Sequence, residues 1–325
     1  MPSGLDTPYP PPPETAGESL APPPRPLWHP LLRSALYLVL FFVAQALAGG
    51  AVVLASLAAG VDLTVPGNLG ELQGEGLLLI FAVTVPPLLA VTWLFARFLD
   101  RRSLASLGLR WPLGGRGATA RQAVTVPLGT LGFLAGWTAV LLALPGVTLR
   151  LGGLAPEVEA AGFAAALRFA LLLLGFLIQG GVEELVIRGY IFHALKERWA
   201  PFVAAVASSV LFALLHALNP NVSAIALTNV VLAGVILAAL VERSGSLWGA
   251  TLAHGAWNFS VACLLSVPVS GIRTFHLLDL AIDGPALLTG GGFGPEGSLA
   301  LTALGLALAA WLWRPRHRNL EEIGP

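Results

Sequence analysis

The sequence predicts an all-α fold, a polytopic membrane bundle of about eight transmembrane helices. Of its 325 residues, 56% are hydrophobic and only 11% are charged, whereas a soluble domain carries roughly 25% charged residues. The mean hydropathy is +0.78. The apolar residues are grouped into segments near the ~20 residues that a helix needs to cross a membrane. This composition excludes a soluble enzyme, a disordered chain and a nucleic-acid-binding protein with a basic surface.

The first element is a proline-rich tail. Residues 1–30 contain no apolar core of the kind that a signal peptide has, so they predict a disordered cytoplasmic tail. Eight apolar segments follow it. They are about 33–58, 77–98, 122–145, 164–187, 202–218, 222–241, 247–268 and 297–313.

The basic residues are distributed unevenly between the loops. Of the 18 Lys and Arg residues, 15 fall in the tails and alternate loops on one side of the predicted membrane, and three fall on the other. The excess of positive charge predicts that both termini are cytoplasmic and that the number of spans is even. Residues 99–117, between the second and third spans, are expected to form an amphipathic cytoplasmic stretch at the headgroups.

Three charged residues stand together at the end of the fourth span, near the hydrocarbon core where charge is costly. Glu184 and Arg188 are four residues apart, so they can pair on one face of a helix. Glu183 points about 100 degrees away from Glu184 and has no local cation. A carboxylate in a poorly solvated site can act as a base near neutral pH. An ion pair at the cytoplasmic end of the helix is the plainer interpretation.

Polar side chains also stand in the fifth and seventh spans. His216 follows a run of apolar residues, and His254 and Asn258 share a helix face through their spacing of four. Each could simply form hydrogen bonds that hold helices together. If the fourth and fifth spans form a hairpin turning near residue 200, Glu183 and His216 lie about 16 residues from the turn, at matching depth. His254 and Asn258 enter the next span from the same side. The four side chains are therefore expected to converge on one buried layer.

Two chemistries suit these four residues. Glu183 with His216 can hold and deprotonate a water molecule, while His254 and Asn258 donate hydrogen bonds to a developing oxyanion, which makes a peptide-bond hydrolase. Alternatively, Glu183, His216 and His254 match a catalytic zinc shell with an open position. The sequence favours neither mechanism over the other.

Three motifs in this order resemble a known family. They are Glu-Glu-x-x-x-Arg at 183–188, Phe-x-x-x-His at 212–216 and His-x-x-x-Asn at 254–258. They are similar to those of the CPBP family, intramembrane proteases that include the type II CAAX prenyl endopeptidases and the bacterial bacteriocin-immunity (Abi) proteins. The resemblance implies that Glu183 is the essential glutamate, with His216 as its partner in water activation. It implies that His254 and Asn258 stabilise the intermediate or complete a metal site, and that Glu184 and Arg188 support them.

The resemblance divides the chain into four parts. Residues 1–30 form the tail, and 31–160 form the N-terminal helices with the amphipathic loop. Residues 161–270 form the CPBP-like catalytic core, and 271–325 form a glycine-rich outer loop, the last helix and a basic C-terminal tail.

The predicted function is an intramembrane endopeptidase that cleaves a membrane-associated protein or peptide. A divalent metal such as zinc is a possible cofactor, and a metal-free mechanism is equally open. The composition, rich in Ala, Leu, Gly and Arg with one Lys, indicates a bacterial plasma membrane and makes a prenylated substrate doubtful. The alternatives are a proton-coupled transporter, favoured only by a possible helix break at Gly180-Gly181, and a non-catalytic immunity or scaffold protein.

Overall fold

A computed structural model describes residues 28–58, 60, 77–112 and 115–315. A helix lies on each of the eight predicted apolar segments. They are α1 (Pro30–Ala58), α2 (Leu77–Leu94), α3 (Gly115–Ala143), α4 (Phe163–Glu184), α5 (Pro201–Leu215), α6 (Ala224–Ser244), α7 (Trp248–Phe259) and α8 (Leu299–Leu312). The predicted all-α class is therefore confirmed. The predicted tail falls almost entirely outside the described residues, as do the last ten residues of the chain.

Among the described residues, four helical segments are long and apolar enough to cross a membrane. They are Pro30–Ala58, Gly117–Ala143, Phe163–Leu195 and Ala224–Ser244. Three further apolar helices are shorter, namely Val83–Leu99, Pro201–Leu215 and Leu299–Leu312. On α1 the side chains of Leu47 and Leu54 are 72% and 69% exposed, as expected of a helix that faces lipid. The protein is an integral membrane protein, while a count of eight spans and the orientation of the termini stay predictions.

Three helices end in wider, π-helical turns. α2 continues through Phe95–Leu99, α4 through Leu185–Phe192 and α7 through Ser260–Leu264. π-helical turns are rare and are frequently found at functional sites. The turn that follows α4 contains Arg188, and the turn that follows α7 begins two residues after Asn258. Both therefore adjoin the residues singled out in the sequence.

One small sheet was not predicted. β1 (Thr148–Leu154) pairs antiparallel with β2 (Leu278–Asp283), and a bulge interrupts the register between Leu151 and Gly153. The strands come from distant parts of the chain, and the glycines of β1 interrupt the alternation of side chains by which a strand is recognised. An exposed ion pair between Arg150 and Asp283, 2.6 Å apart, joins them.

A buried cluster of charges fastens α1 to the loops beside it. The Arg33 guanidinium, fully buried, pairs with Asp100 after α2 and lies 2.5 Å from Glu197 after α4. Arg102 also approaches Glu197, at 3.4 Å. Next to this cluster Tyr37 stacks on Tyr190, with ring centroids 4.1 Å apart. These contacts fix the π-helical turn after α4 against α1 and α2.

The other helices pack in pairs. α7 packs on α4 and on α3, α1 packs on α2, and both α5 and α8 pack on α6. The helical segment that continues α4 ends at Leu195 and α5 begins at Pro201, so the chain turns near residue 200, and α5 packs against the π-helical turn that follows α4. This arrangement brings the polar residues of α4, α5 and α7 to the middle of the bundle.

Candidate active site

Glycines allow α4 and α7 to approach closely. A Cβ atom at Gly255 would lie 2.8 Å from Leu177 Cδ2 and 2.9 Å from Leu177 Cα, and one at Gly180 would lie 3.1 Å from the Gly255 nitrogen. α4 runs through Gly180 and Gly181 without interruption. The structure therefore gives these glycines a packing role, and the helix break that favoured a transporter does not occur.

We expect Gly255→Ala to destabilise the protein and to weaken the contact of His254 with α4. The added methyl group meets the α4 backbone, which cannot move aside as a flexible side chain can, and overpacking of this kind costs about 1–3 kcal/mol. Gly136→Ala on α3 is the matched control, since nothing lies within 4 Å of a Cβ atom there. Thermal unfolding in detergent should show a lower Tm for Gly255→Ala and an unchanged or slightly raised Tm for Gly136→Ala. Equal Tm values for the two variants would contradict the packing argument.

Glu184 and Arg188 form the predicted pair. Arg188 Nη1 donates to Glu184 Oε1 at 3.0 Å, and both side chains are fully buried. The same oxygen of Glu184 accepts a second hydrogen bond from His254 Nδ1 at 2.9 Å. Because Nδ1 of His254 is held by this carboxylate, the ring orientation is fixed and Nε2 points away from Glu184. The pair therefore orients an imidazole from a different helix.

Glu183 lies beside the outward nitrogen of that imidazole. Its Oε1 accepts a hydrogen bond from Gln179 Nε2 at 3.1 Å. Its Oε2 is 3.6 Å from His254 Nε2 and accepts no hydrogen bond from any described residue. A contact of this length is too long for a direct hydrogen bond, but a single water molecule can reach both atoms. Gln179 was missed in the sequence, although its spacing of four from Glu183 is a usable signal.

His216 caps the end of α5. Its Nδ1 lies 2.9 Å from the carbonyl oxygen of Phe212. Because a carbonyl can only accept, Nδ1 carries a proton, and in the neutral ring Nε2 is then an acceptor. The Phe212 ring packs against both imidazoles, with ring centroids 4.6 Å from His216 and 6.0 Å from His254. The guanidinium of Arg188 lies over the same ring at 4.6 Å. Among the described contacts, the imidazole beside Glu183 is that of His254, and no hydrogen bond joins Glu183 to His216.

A cavity of about 430 Å³ lies beside the two imidazoles. His216, His254 and Asn258 line it, together with mostly apolar side chains of α3, α6 and α8. Asn258 is 8% exposed. An apolar cavity with a few convergent polar groups is the usual form of a ligand-binding site. The structure thus brings two imidazoles and an amide to one cavity, with the Glu183 carboxylate 3.6 Å from His254 Nε2.

Glu296 is a cavity residue that the sequence analysis missed. Its Oε1 accepts from Trp257 Nε1 at 2.8 Å, and its Oε2 accepts from the Ser270 backbone N–H at 3.2 Å. Burial raises the pKa of this carboxyl group above its usual range, although both hydrogen bonds oppose that rise. A single acidic residue just before the last apolar segment was the available signal, but its partners are more than 20 residues away in the chain.

The residues proposed as metal ligands do not form a ligand set. Within the part of the chain that the structure describes, no group of three His, Cys, Asp or Glu side chains is arranged to hold a metal ion. Two imidazole Nε2 atoms and the Glu183 carboxylate have suitable chemistry, and His254 Nε2 lies 3.6 Å from Glu183 Oε2, but no described contact brings His216 to the same point. We therefore derive no step through a metal.

The comparisons with known proteins identify one family. Residues 165–260 match the model of the type II CAAX prenyl endopeptidase Rce1-like family. Neither a curated protein nor a solved structure matches the chain. The matched segment contains all three motifs, so the resemblance to the CPBP family is confirmed over this segment. The matched family is one of membrane proteases.

Proposed function

We propose that this protein is an intramembrane endopeptidase that hydrolyses a peptide bond of a membrane-associated protein or peptide. One observation carries the proposal. The Glu183 Oε2 atom accepts no hydrogen bond from any described residue and lies 3.6 Å from the Nε2 atom of His254, a residue on the wall of the cavity. A carboxylate kept free beside an imidazole inside a membrane protein is costly to maintain, and water activation gives it a use.

The reaction follows from these positions. Glu183 takes a proton from a water molecule, and the water oxygen attacks the carbonyl carbon of the scissile peptide bond. The resulting oxyanion is stabilised by the amide N–H of Asn258 and by His254 when its Nε2 carries a proton. The C–N bond then breaks, and the proton held by Glu183 passes to the leaving amine. His216, with Nε2 free as an acceptor, is the second group able to hold the attacking water.

The supporting pair has a separate role. Glu184 accepts a hydrogen bond from Nδ1 of His254, and Arg188 neutralises Glu184. The pair therefore fixes the imidazole and does not itself contact the substrate. Holding the far nitrogen of a functional histidine sets both its proton position and its ring orientation. Removal of this support is therefore expected to affect both folding and chemistry.

The substrate and the cellular setting are proposed from the lining of the cavity and from the distribution of charge. The predominantly apolar cavity suits a hydrophobic peptide segment that reaches it within the bilayer. We propose a bacterial plasma membrane with both termini in the cytoplasm, from the composition and the excess of positive charge in alternate loops. The cleavage experiment below compares a prenylated with an unprenylated substrate.

Cleavage by the purified full-length protein tests the proposal. Two quenched fluorescent peptides are reconstituted with it in liposomes, one ending in a prenylated CAAX sequence and one with an unprenylated hydrophobic anchor. We expect at least one to be cut, at a single bond identified by mass spectrometry. Cleavage of neither peptide by folded protein would overturn the proposal. Solute uptake by the same liposomes without cleavage would indicate a transporter.

Metal removal tests the mechanism. We expect cleavage to change by less than about twofold after treatment with 1,10-phenanthroline, because Glu183 generates the nucleophile directly, whereas a catalytic metal that supplied it could not be removed without loss of activity. Metal analysis of the same sample is the control. Loss of activity with recovery on adding zinc would contradict the metal-free reaction.

A further inference from the structure

The Glu296 side chain lines the cavity near the start of α8. The cavity extends along α8 from Leu301 to Leu312, and Glu296 lines it at the end where α8 begins. Its carboxyl group is bonded to Trp257 on α7 and to Ser270 in the segment that follows α7. The carboxyl group therefore joins the start of α8 to the wall of the cavity that contains His254 and Asn258.

The backbone around Glu296 is fixed independently. Asn229 on α6 donates from its amide nitrogen to the carbonyl oxygens of Glu296 and Ser298, both at 2.8 Å. Its amide oxygen accepts from Thr302 on α8 at 2.8 Å. Because α6 and α8 hold the backbone on both sides, the Glu296 side chain has a rigid base from which to hold another helix.

Trp257 connects Glu296 to the face of α7 that carries His254 and Asn258. It lies between His254 and Asn258 in sequence, and all three line the cavity. One end of this helix face is held by the bond from His254 to Glu184, and the other is held by the bond from Trp257 to Glu296. Two tethers on one short helix fix its rotation as well as its position, and a shift of about 1 Å in a reacting group can cost about 100-fold in rate.

We propose that Glu296 is a positioning residue of the active site, which holds Trp257 and thereby orients the His254–Asn258 face of α7. This inference rests on the proposed function for its catalytic consequence, while the structural part stands alone. Glu296 accepts hydrogen bonds through both carboxyl oxygens, so a glutamine at this position keeps one acceptor and an alanine keeps none.

The chain provides a matched control for the tether. Trp137 on α3 is a buried tryptophan whose Nε1 donates to Ser298 Oγ at 2.9 Å, two residues from Glu296, and it does not line the cavity. Trp257→Phe and Trp137→Phe each remove one indole hydrogen bond to the same segment. A purely structural role predicts the same outcome for both variants.

The experiment combines kinetics with hydrogen–deuterium exchange on the full-length protein in liposomes, using the peptide that the wild type cleaves. We expect Trp257→Phe and Glu296→Ala to lower kcat about 10- to 100-fold with KM nearly unchanged, Glu296→Gln to retain most of kcat, and Trp137→Phe to retain kcat. Exchange in residues 248–259 should be faster in Trp257→Phe and Glu296→Ala only.

Two results would overturn the proposal. Unchanged exchange in residues 248–259 would show that the tether does not hold α7, whether or not any peptide is cleaved. Glu296→Gln as inactive as Glu296→Ala would assign the effect to charge rather than to positioning. A wild type that cleaves no peptide would defeat the proposed function, and the exchange measurement would still decide whether Glu296 positions α7.

Discussion

Glu183→Gln is expected to reduce kcat/KM at least about 100-fold while leaving Tm unchanged or higher. The substitution keeps the size of the side chain and removes its basicity, and general base catalysis contributes about 10²- to 10⁴-fold. Stability should not fall, because Glu183 Oε2 accepts no hydrogen bond from any described residue. The wild type therefore bears the cost of an unpaired carboxylate oxygen, and an amide at this position relieves it. A residue that lowers stability but is required for activity is typical of a catalytic site.

A matched control separates this effect from a general loss of charge. Glu159→Gln removes an exposed carboxylate from the short helix Pro156–Ala161, away from the cavity, and is expected to change neither kcat/KM nor Tm. Peptide cleavage and thermal unfolding should be measured on the same preparations of both variants. Full activity in Glu183→Gln would remove the basis of the proposed reaction. A large fall in its Tm would instead assign Glu183 a structural role.

The sequence predicted those parts of the site that depend on spacing along one helix or across one hairpin. The spacing of four between Glu184 and Arg188 suffices to predict their ion pair, because the geometry of a helix places them on one face. Equal distances from the turn near residue 200 predicted that α5 would bring His216 toward the depth of Glu183. The placement of His254 and Asn258 on one face of the next span follows in the same way.

Contacts between distant segments could not be predicted in this way. The angle between adjacent residues on a helix predicted that the Glu183 and Glu184 side chains would point in different directions. It did not predict that His254 would lie between the two carboxylates. That arrangement depends on how closely α4 approaches α7, which is decided by glycines whose role appears only when both backbones are placed. Glu296 and the sheet of β1 and β2 were missed for the same reason. Their partners lie far away in the chain, and no periodic pattern connects them.

Arg188→Ala is expected to destabilise the protein by about 3–5 kcal/mol, the usual cost of removing one partner from a buried ion pair. Arg188 and Glu184 are both fully buried, so the remaining carboxylate would keep only its bond with His254 and have no counter-charge. Arg150→Ala is the matched control, because its pair with Asp283 is exposed and such pairs contribute about 0–1 kcal/mol. Thermal unfolding of the two variants should therefore give a large fall in Tm for the first and a small one for the second.

A double substitution separates stability from activity at the same pair. Glu184→Gln combined with Arg188→Met removes both charges and keeps the side-chain volumes, and replacement of a buried pair by neutral groups is often neutral for stability. We therefore expect Tm to recover, at least in large part. Activity should stay low, because a neutral amide holds His254 Nδ1 less strongly than the carboxylate, and charge-assisted hydrogen bonds are about twice as strong as neutral ones. Recovery of both Tm and cleavage would show that the pair is only structural, whereas recovery of Tm alone assigns it to the orientation of His254.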